Sequence, residues 1–471
     1  MPLPDTIQPV RMERVALLAP ADTVRSCLVQ VADMGTVQLD NVRNGDETPI
    51  GEAGRRLQCL PAPLRPVLSI DTPDLDELVR TGSADLLAGE AELERYADGA
   101  VRRGGAAALT GWSPAPAVAP LAARLAPLGS SLVVLRRPRG VDPPSLLRSD
   151  GAVRGSFAPL VETYGAVPYR DVDPTLFAAL AYVVMFGMMF GDLGHGLLLV
   201  AAALLLRSGR PRRFADARRA APLVLGAGVA ASCFGVLYGE FFGPTGVLTP
   251  LWLEPLAEPM RLFAAAIGLG AVLLAVAYAV GIANRWREGG PRLALYAPSG
   301  IAGTAMFVGV GAGVAGAYLD TDLLIWLGAA VAATGLLLAG AGLFAGSGGG
   351  AAGVFRTVME LFDLVIRLGA NVISFARLAA FGMTHAALGW LVWQATTGLA
   401  GRGGLGFLLA ALMFVAGNVV AFALEALVAG IQALRLEFYE LFSRVFDIEG
   451  RPFRPWHVPI RHEPTPHEES T

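Results

Sequence analysis

From residue 175 onward the chain is a succession of apolar stretches, most of them long enough to cross a hydrocarbon layer about 30 Å thick. This feature limits the fold more than any other. Lipid offers no partner to backbone N–H and C=O groups, so each crossing has to satisfy its own, and uninterrupted apolar runs of this length do so as helices. Crossings are expected near 175–191, 192–207, 219–242, 262–283, 293–318, 323–346, 365–396 and 405–434, about eight in all. The first two form one apolar run, and Gly191-Asp192-Leu193-Gly194 near its centre predicts a tight reversal. Composition agrees: 54% of residues are hydrophobic and 16% charged, with a mean hydropathy of +0.52. A soluble chain carries about a quarter charged residues, so most soluble-enzyme classes are excluded.

Charge and cysteine usage narrow the chemistry further. The 37 basic residues nearly balance 40 acidic ones, so no polyanion bias and no nucleic-acid partner is expected. All the basic residues are arginine, which leaves no lysine for a P-loop or a Schiff base. Cys27, Cys59 and Cys233 lack CxxC spacing, so neither a disulfide framework nor a zinc site is read from them. The N-terminus has no apolar core of a secretory signal.

Residues 1–173 hold most of the Asp, Glu and Arg in short alternating runs, which predicts a small soluble α/β domain. Strands are expected at Arg14–Leu18, Thr36–Leu39 and Leu132–Leu135, with a helix over Asp22–Met34 opened by an Asp cap. Residues 45–110 read as polar, helical and weakly patterned. Residues 174–450 form the membrane domain, and 451–471 a Pro-rich cytoplasmic tail whose His457, His462 and His467 should be solvated. The most basic connections, 207–219 and 284–292, fall on one side of the membrane together with the N-terminal domain. The opposite loops at 244–259 and 320–322 have no arginine. The positive-inside rule therefore places both termini in the cytoplasm.

An ionisable group inside the bilayer costs a few kcal/mol on insertion scales, so each one is a functional candidate. They concentrate in the last two crossings. In the seventh, Glu360, Asp363, Arg367, Asn371, Ser374, Arg377, Thr384 and His385 fall within about 140° of arc on a regular helix, over roughly 37 Å of rise. In the eighth, Asn418, Glu425 and Gln432 stand at heptad spacing, with Arg435 beyond. Arg367 and Arg435, near a helix end, can equally snorkel to the interface; mid-span Arg377 cannot easily do so. An arginine stays charged at physiological pH and cannot relay protons itself. It needs a carboxylate, either in this chain or in another subunit. Asp192 and His195 fit a capped interfacial turn as well as a proton path. Glu240 reads as a solvated carboxylate near a helix end. The Gly-rich 345–353 has neither a lysine nor a preceding strand, so it is no phosphate loop, and the small residues of Gly309–Gly316 predict close helix packing.

The run Asn371-Val-Ile-Ser-Phe-Ala-Arg377-Leu-Ala-Ala-Phe-Gly-Met-Thr-His385 resembles the signature of the a subunit (subunit I, the 116 kDa subunit family) of V-type and archaeal A-type rotary ATPases. So does Ala433-Leu-Arg435-Leu-Glu-Phe-Tyr-Glu-Leu-Phe-Ser443-Arg-Val-Phe. Tyr164-Gly-Ala-Val-Pro-Tyr-Arg-Asp171, Phe186-Gly-Met-Met-Phe-Gly-Asp192-Leu-Gly-His195 and Gly235-Val-Leu-Tyr-Gly239-Glu-Phe-Phe-Gly243 are similar to its linker and early crossings, and Gly111-Trp112-Ser-Pro114 to its N-terminal domain.

The resemblance implies a mainly α-helical, polytopic protein whose two C-terminal helices are long and tilted, a short prokaryotic form of the family. It implies a stator subunit in a prokaryotic plasma membrane, with two half-channels for protons or sodium. Arg377 would face the rotating proteolipid ring and Arg435 would be the second arginine. Glu425 and His385 would line the non-cytoplasmic half-channel, and Asp363 the cytoplasmic one. Asp192, His195, Gln432, Ser374 and Asn418 would extend the polar path. Two departures stand out: Gln432 replaces a histidine common in eukaryotic members, and the N-terminal domain is short. Partners would be the proteolipid ring, peripheral stalks, a central-stalk membrane-sector subunit and, through them, the soluble ATPase sector. No cofactor, metal or nucleotide site of its own is expected. The rival readings are a stand-alone proton-coupled secondary transporter, against which there is no sign of inverted repeats with broken helices, and a structural membrane anchor.

Overall fold

The computed structural model describes residues 8–40, 51–61, 65–138, 140–208, 216–446 and 450–461. They form two compact units, one from Pro9–Leu146 with the segment from Gly450 onward, the other from Leu147–Glu449 with Gln8.

The smaller unit is an α/β sandwich. Its strands are β1 (Met12–Pro20), β2 (Gln38–Leu39), β3 (Leu68–Ser69), β4 (Val101–Arg103), β5 (Ala106–Pro114), β6 (Ser131–Leu135) and β7 (Ile460–Arg461). Its helices are α1 (Val24–Met34), α2 (Glu52–Leu57), α3 (Leu75–Arg80), α4 (Ala84–Asp98) and α5 (Ala115–Leu125). The main sheet runs β2-β5-β1-β6 with β4 on β5, antiparallel throughout. Its core is built from Val15, Leu17, Leu28, Val31, Leu109 and Leu121. Trp456 and Val458 join that core, and the Trp456 N–H donates to the Val37 carbonyl at 2.9 Å.

Three expectations need correction here. The stretch read as helical up to residue 110 runs into β5, because pairing with β1 on one side and β4 on the other outweighs the helix preference of Ala106-Ala107-Ala108. Helix α1 starts at Val24 behind Thr23, which makes no side-chain cap, so Asp22 is not its cap. His457 is exposed, yet its Nδ1 lies 2.9 Å from the Ala32 carbonyl, so it is anchored rather than free in solvent. His462 and His467 lie outside the described residues.

The larger unit is helical: α6 (Ala152–Tyr164), α7 (Thr175–Met189), α8 (Leu193–Ser208), α9 (Ala221–Tyr238), α10 (Pro259–Tyr296), α11 (Ile301–Tyr318), α12 (Asp322–Gly346), α13 (Gly350–Ser374), α14 (Ala376–Ala400) and α15 (Leu405–Leu436). Among the described residues, six helical spans are long and apolar enough to cross a membrane, with α13 and α14 counted as one. The chain is thus a multi-pass membrane protein. Eight crossings were expected; α7 and α8 form the predicted pair around Phe190–Asp192, but with 15 and 16 residues each reaches only about 22–24 Å. The predicted 293–318 crossing divides: α10 continues to Tyr296 through a kink at Gly290 (φ 74°), just before Pro291, and α11 begins afresh at Ile301. Of the basic 207–219 connection, residues 209–215 lie outside the described part.

Small residues set the close approaches, as Gly309–Gly316 predicted. A Cβ on Gly309 would stand 2.4 Å from the Ala332 nitrogen of α12. The apolar faces of α11, α12 and α15 are left exposed, as lipid-facing helices require.

Ahead of α7 the chain docks by polar contacts. Val172 N–H donates to Asn284 Oδ1 at 2.9 Å, and Asn284 Nδ2–H donates to the Val445 carbonyl at 3.1 Å. Fully buried Asp171 lies against the Glu288 carboxyl; burial first, and then that neighbour, push its pKa up to about 8. A raised acid pKa means the docked state favours the protonated form. Its contribution is complete below the ordinary carboxylate range and is lost as pH rises through about 8. Amide exchange across 168–174 should therefore accelerate between pH 7 and 9 beyond the intrinsic base-catalysed rise. Asp171→Asn should flatten that excess, and an unchanged excess would reject the assignment.

Candidate functional site

Two polar clusters sit inside the larger unit. The first is assembled from four segments: the α7–α8 turn, the loop after α9, α14 and α15. Asp192 opens α8, where its Oδ1 accepts from the His195 N–H at 2.8 Å, a capping interaction. The same carboxylate holds the loop after α9, with Oδ1 accepting from Phe242 N–H at 3.1 Å and Oδ2 from Gly243 N–H at 2.6 Å. Phe242 has a positive φ of 52°, strained for a residue of its size. The approach of α9 to this turn needs glycine, because a Cβ on Gly235 would stand 2.1 Å from Leu193 N.

Behind this clamp the side chains converge. His385 Nδ1 is in ion-pair contact with Glu425 Oε2. The His195 ring is 5.5 Å from the His385 ring, and Phe190, Phe242 and Phe422 close around it at 5.7, 5.2 and 5.7 Å. Asn418 lies alongside His195 and donates to the Phe414 carbonyl. Glu240 faces Asp192, His385 and Glu425, and its Oε2 has no hydrogen-bond partner among the described residues. Asp192, His195, Glu240, His385 and Glu425 are all less than a tenth exposed. Five titratable side chains in one apolar shell are costly to bury, and such sites carry function.

The second cluster surrounds Arg377. The α13–α14 helix breaks at Phe375, which is fully buried and rests on α10, where Gly270 leaves room for its ring. There the hydrogen bonds shorten to the three-residue type, Phe375 N to Val372 O at 3.2 Å and Leu378 N to Phe375 O at 2.9 Å. Arg377 Nη2 then donates to Glu440 Oε1 at 2.8 Å. Glu440 belongs to a π-helical turn, Glu437–Phe442, that continues α15. Arg444, just past that turn, stacks over the Tyr278 ring at 5.5 Å and, with the Asn371 amide turned to satisfy its neighbours, donates to its oxygen at 2.9 Å. Glu437 is buried, with its Oε2 unpartnered. Leu378, Ala379, Ala429, Ala433 and Leu436 pack in the apolar core that separates the two clusters along α14 and α15.

The expected track of eight polar residues on one face is therefore not continuous. The tightened turn at Phe375 rotates the two halves out of phase. Asp363 pairs with Arg367 at 2.7 Å on the exposed surface, and Glu360 pairs with Arg356. Thr384 is exposed, and Arg435 lies on the outer face of α15. Gln432 is half-buried with its Oε1 unpartnered, and Ser374 neighbours Glu440. His385, Glu425, Asn418, Asp192 and His195 are brought together. Glu240, read from sequence as a solvated carboxylate, is instead buried in their midst. Glu440, Glu437 and Arg444 were missed as site residues. Their signal was present as charges continuing the α15 pattern past its expected end.

Residues 123–244, which include Asp192, His195 and Glu240, match the V-type ATPase 116 kDa subunit family. The chain is related to that family. It is 27% identical over 311 residues to the A-type ATP synthase subunit I of Pyrococcus abyssi, covering 64% of this chain and 45% of the relative. It is 26% identical over 373 residues to the corresponding protein of Thermococcus kodakarensis, covering 74% and 54%. Against the V-type ATP synthase subunit I 2 of Treponema pallidum identity is 43% over 96 residues, 20% of this chain and 21% of the relative. The chain spans about half the length of the archaeal relatives it matches.

Proposed function

We propose that this chain is the stator subunit of a V-type or A-type ATPase membrane sector and provides two half-channels for protons against a rotating proteolipid ring. The observation that carries the reading is the pair of buried polar clusters separated by an apolar layer, with Arg377 reaching the surface from one of them at 29% side-chain exposure. A proton entering through Glu240, His195, His385 and Glu425 would neutralise a ring carboxylate, which could then face lipid at low cost. After rotation, the fixed charge of Arg377 would favour the ionised carboxylate and release the proton towards Glu440 and Glu437. The apolar layer and the arginine together prevent a direct leak. In this reading Arg435 and the Asp363–Arg367 pair line the exposed face offered to the ring, and the small unit docks peripheral stalks.

Both termini are assigned to the cytoplasmic side of a prokaryotic plasma membrane. In a Cys233→Ala background, a cysteine placed in the 244–258 loop should be labelled from outside the cell; labelling only after permeabilisation would reverse the topology.

Glu425→Gln tests the function. It keeps the shape and hydrogen bonding of the side chain but removes the titratable group beside His385. ATP-driven proton pumping in vesicles should fall at least about tenfold, while the ring and the soluble ATPase subunits still co-purify with the chain. Wild-type pumping would reassign Glu425 to a structural pair. A chain that transports on its own, with no ring co-purifying, would favour a secondary transporter.

A further inference from the structure

We infer that the first cluster is a binding site for a single divalent transition-metal ion, of the zinc class, held by Asp192, His195 and His385. One ligand atom from each of these three residues lies within 4.8 Å of the other two, and all three side chains are buried. His195 supplies the decisive second observation. It is 1% exposed, and among the described residues neither ring nitrogen makes a hydrogen bond of good geometry, the Asn418 side chain being a polar neighbour. A buried imidazole left in that state carries a desolvation penalty for each unsatisfied group. Its Nδ1 points towards Asp192 Oδ1 but stands 3.8 Å away, too far for a hydrogen bond and close enough to share an ion.

The donor set selects the ion. Two imidazoles and a carboxylate suit borderline metals, whereas sodium, calcium and magnesium prefer all-oxygen shells. Tetrahedral ligands at about 2.1 Å from zinc stand roughly 3.4 Å apart. The three atoms now lie within 4.8 Å of one another, so binding would draw them together by at most roughly 1.4 Å. Glu240 and Glu425 also face this space, so its surroundings are rich in carboxylate oxygen and suit a cation. Asp192, His195 and His385 would give three protein ligands, and a water would complete a four-coordinate shell. The Asp192 carboxylate is already oriented by three backbone N–H groups, the kind of outer support that metal ligands receive. Sequence spacing could not reveal this site, because its ligands come from segments nearly 200 residues apart.

Metal binding requires the cluster geometry alone. Its consequence, blockage of the ion path, rests on the proposed function. The purified full-length chain in lipid nanodiscs would be titrated with Zn2+ against a competing chelator, and with Co2+ as a spectroscopic probe. We expect one ion per chain and a cobalt visible band typical of four-coordination, with affinity at least about 100-fold weaker in His195→Gln and in His385→Gln. A wild-type chain that binds no ion, or two folded variants that bind as tightly as wild type, would overturn the site. If either variant fails to fold, the cobalt spectrum of the wild-type chain decides: a band without imidazole character rejects the assignment. Zn2+ added to pumping vesicles separates the two proposals. A site that fills while transport continues unchanged leaves the metal site standing and removes the path through His385 and Glu425.

Discussion

Replacing Arg377 with alanine or glutamine should reduce ATP-driven transport to background, and lysine should restore only a small fraction. Arg377 is the cation that α14 brings to the surface beside the buried Glu440, and no other positive group stands on that part of the helix. His385 is eight residues away, about 12 Å, and is engaged with Glu425. Lysine keeps a charge but loses the planar five-donor fork, and it deprotonates when buried. Arg377→Ala also strands the Glu440 carboxylate, which is only 6% exposed, so loss of activity could arise from misfolding. The double variant Arg377→Ala with Glu440→Gln removes that difficulty by leaving no uncompensated buried charge. It should assemble to near wild-type levels, measured by subunit content, and still not pump. Recovery of pumping in the double variant would mean that Arg377 serves only to neutralise Glu440.

The membrane character, the helical class and the polar residues that α14 and α15 give to the first cluster, His385, Asn418 and Glu425, were legible because each depends on local pattern. Apolar length gives a crossing, and a buried charge is conspicuous against Leu and Ala. What one helix does relative to another was not legible. The track on α13–α14 assumed a regular helix, yet Phe375 inserts against α10 at Gly270, and this tertiary contact tightens one turn and separates Asp363 from Arg377. Glu240 looked solvated because it lies near the end of α9, and only the loop fold, pinned by Asp192, turns it inward. In the small unit, Ala106–Ala108 reads as helix and forms a strand because it lies between the adjacent β4 and the distant β1, and the second partner is not visible locally. The Arg377–Glu440 pair spans 63 residues and depends on a π-helical turn that no regular periodicity predicts.

Asp192→Ala should have the largest effect on stability. The carboxylate is fully buried and accepts from His195, Phe242 and Gly243, so its loss leaves three backbone donors without that acceptor. Each unsatisfied buried group costs about 1–3 kcal/mol. Phe242 would also be freed to leave its positive-φ conformation, which costs about 1–3 kcal/mol to maintain and which the Asp192 contact helps to hold. The expected outcome is a clear drop in the thermal midpoint of the detergent-solubilised chain and new protease cleavage within 240–246. Asp192→Asn should fall between wild type and alanine. Its oxygen can still accept from His195 and Phe242, while its amide N–H faces the Gly243 N–H and loses only that bond. This ordering distinguishes a clamp from a pure relay. A carboxylate needed only for proton transfer would leave both variants equally stable and equally inactive. A clamp makes stability fall in the order wild type, asparagine, alanine. The loop it holds carries Glu240, so loosening the clamp should also raise solvent access to the first cluster. Faster exchange of the amides at Phe242 and Gly243 in the alanine variant would report that directly, and unchanged protection there would sink the assignment.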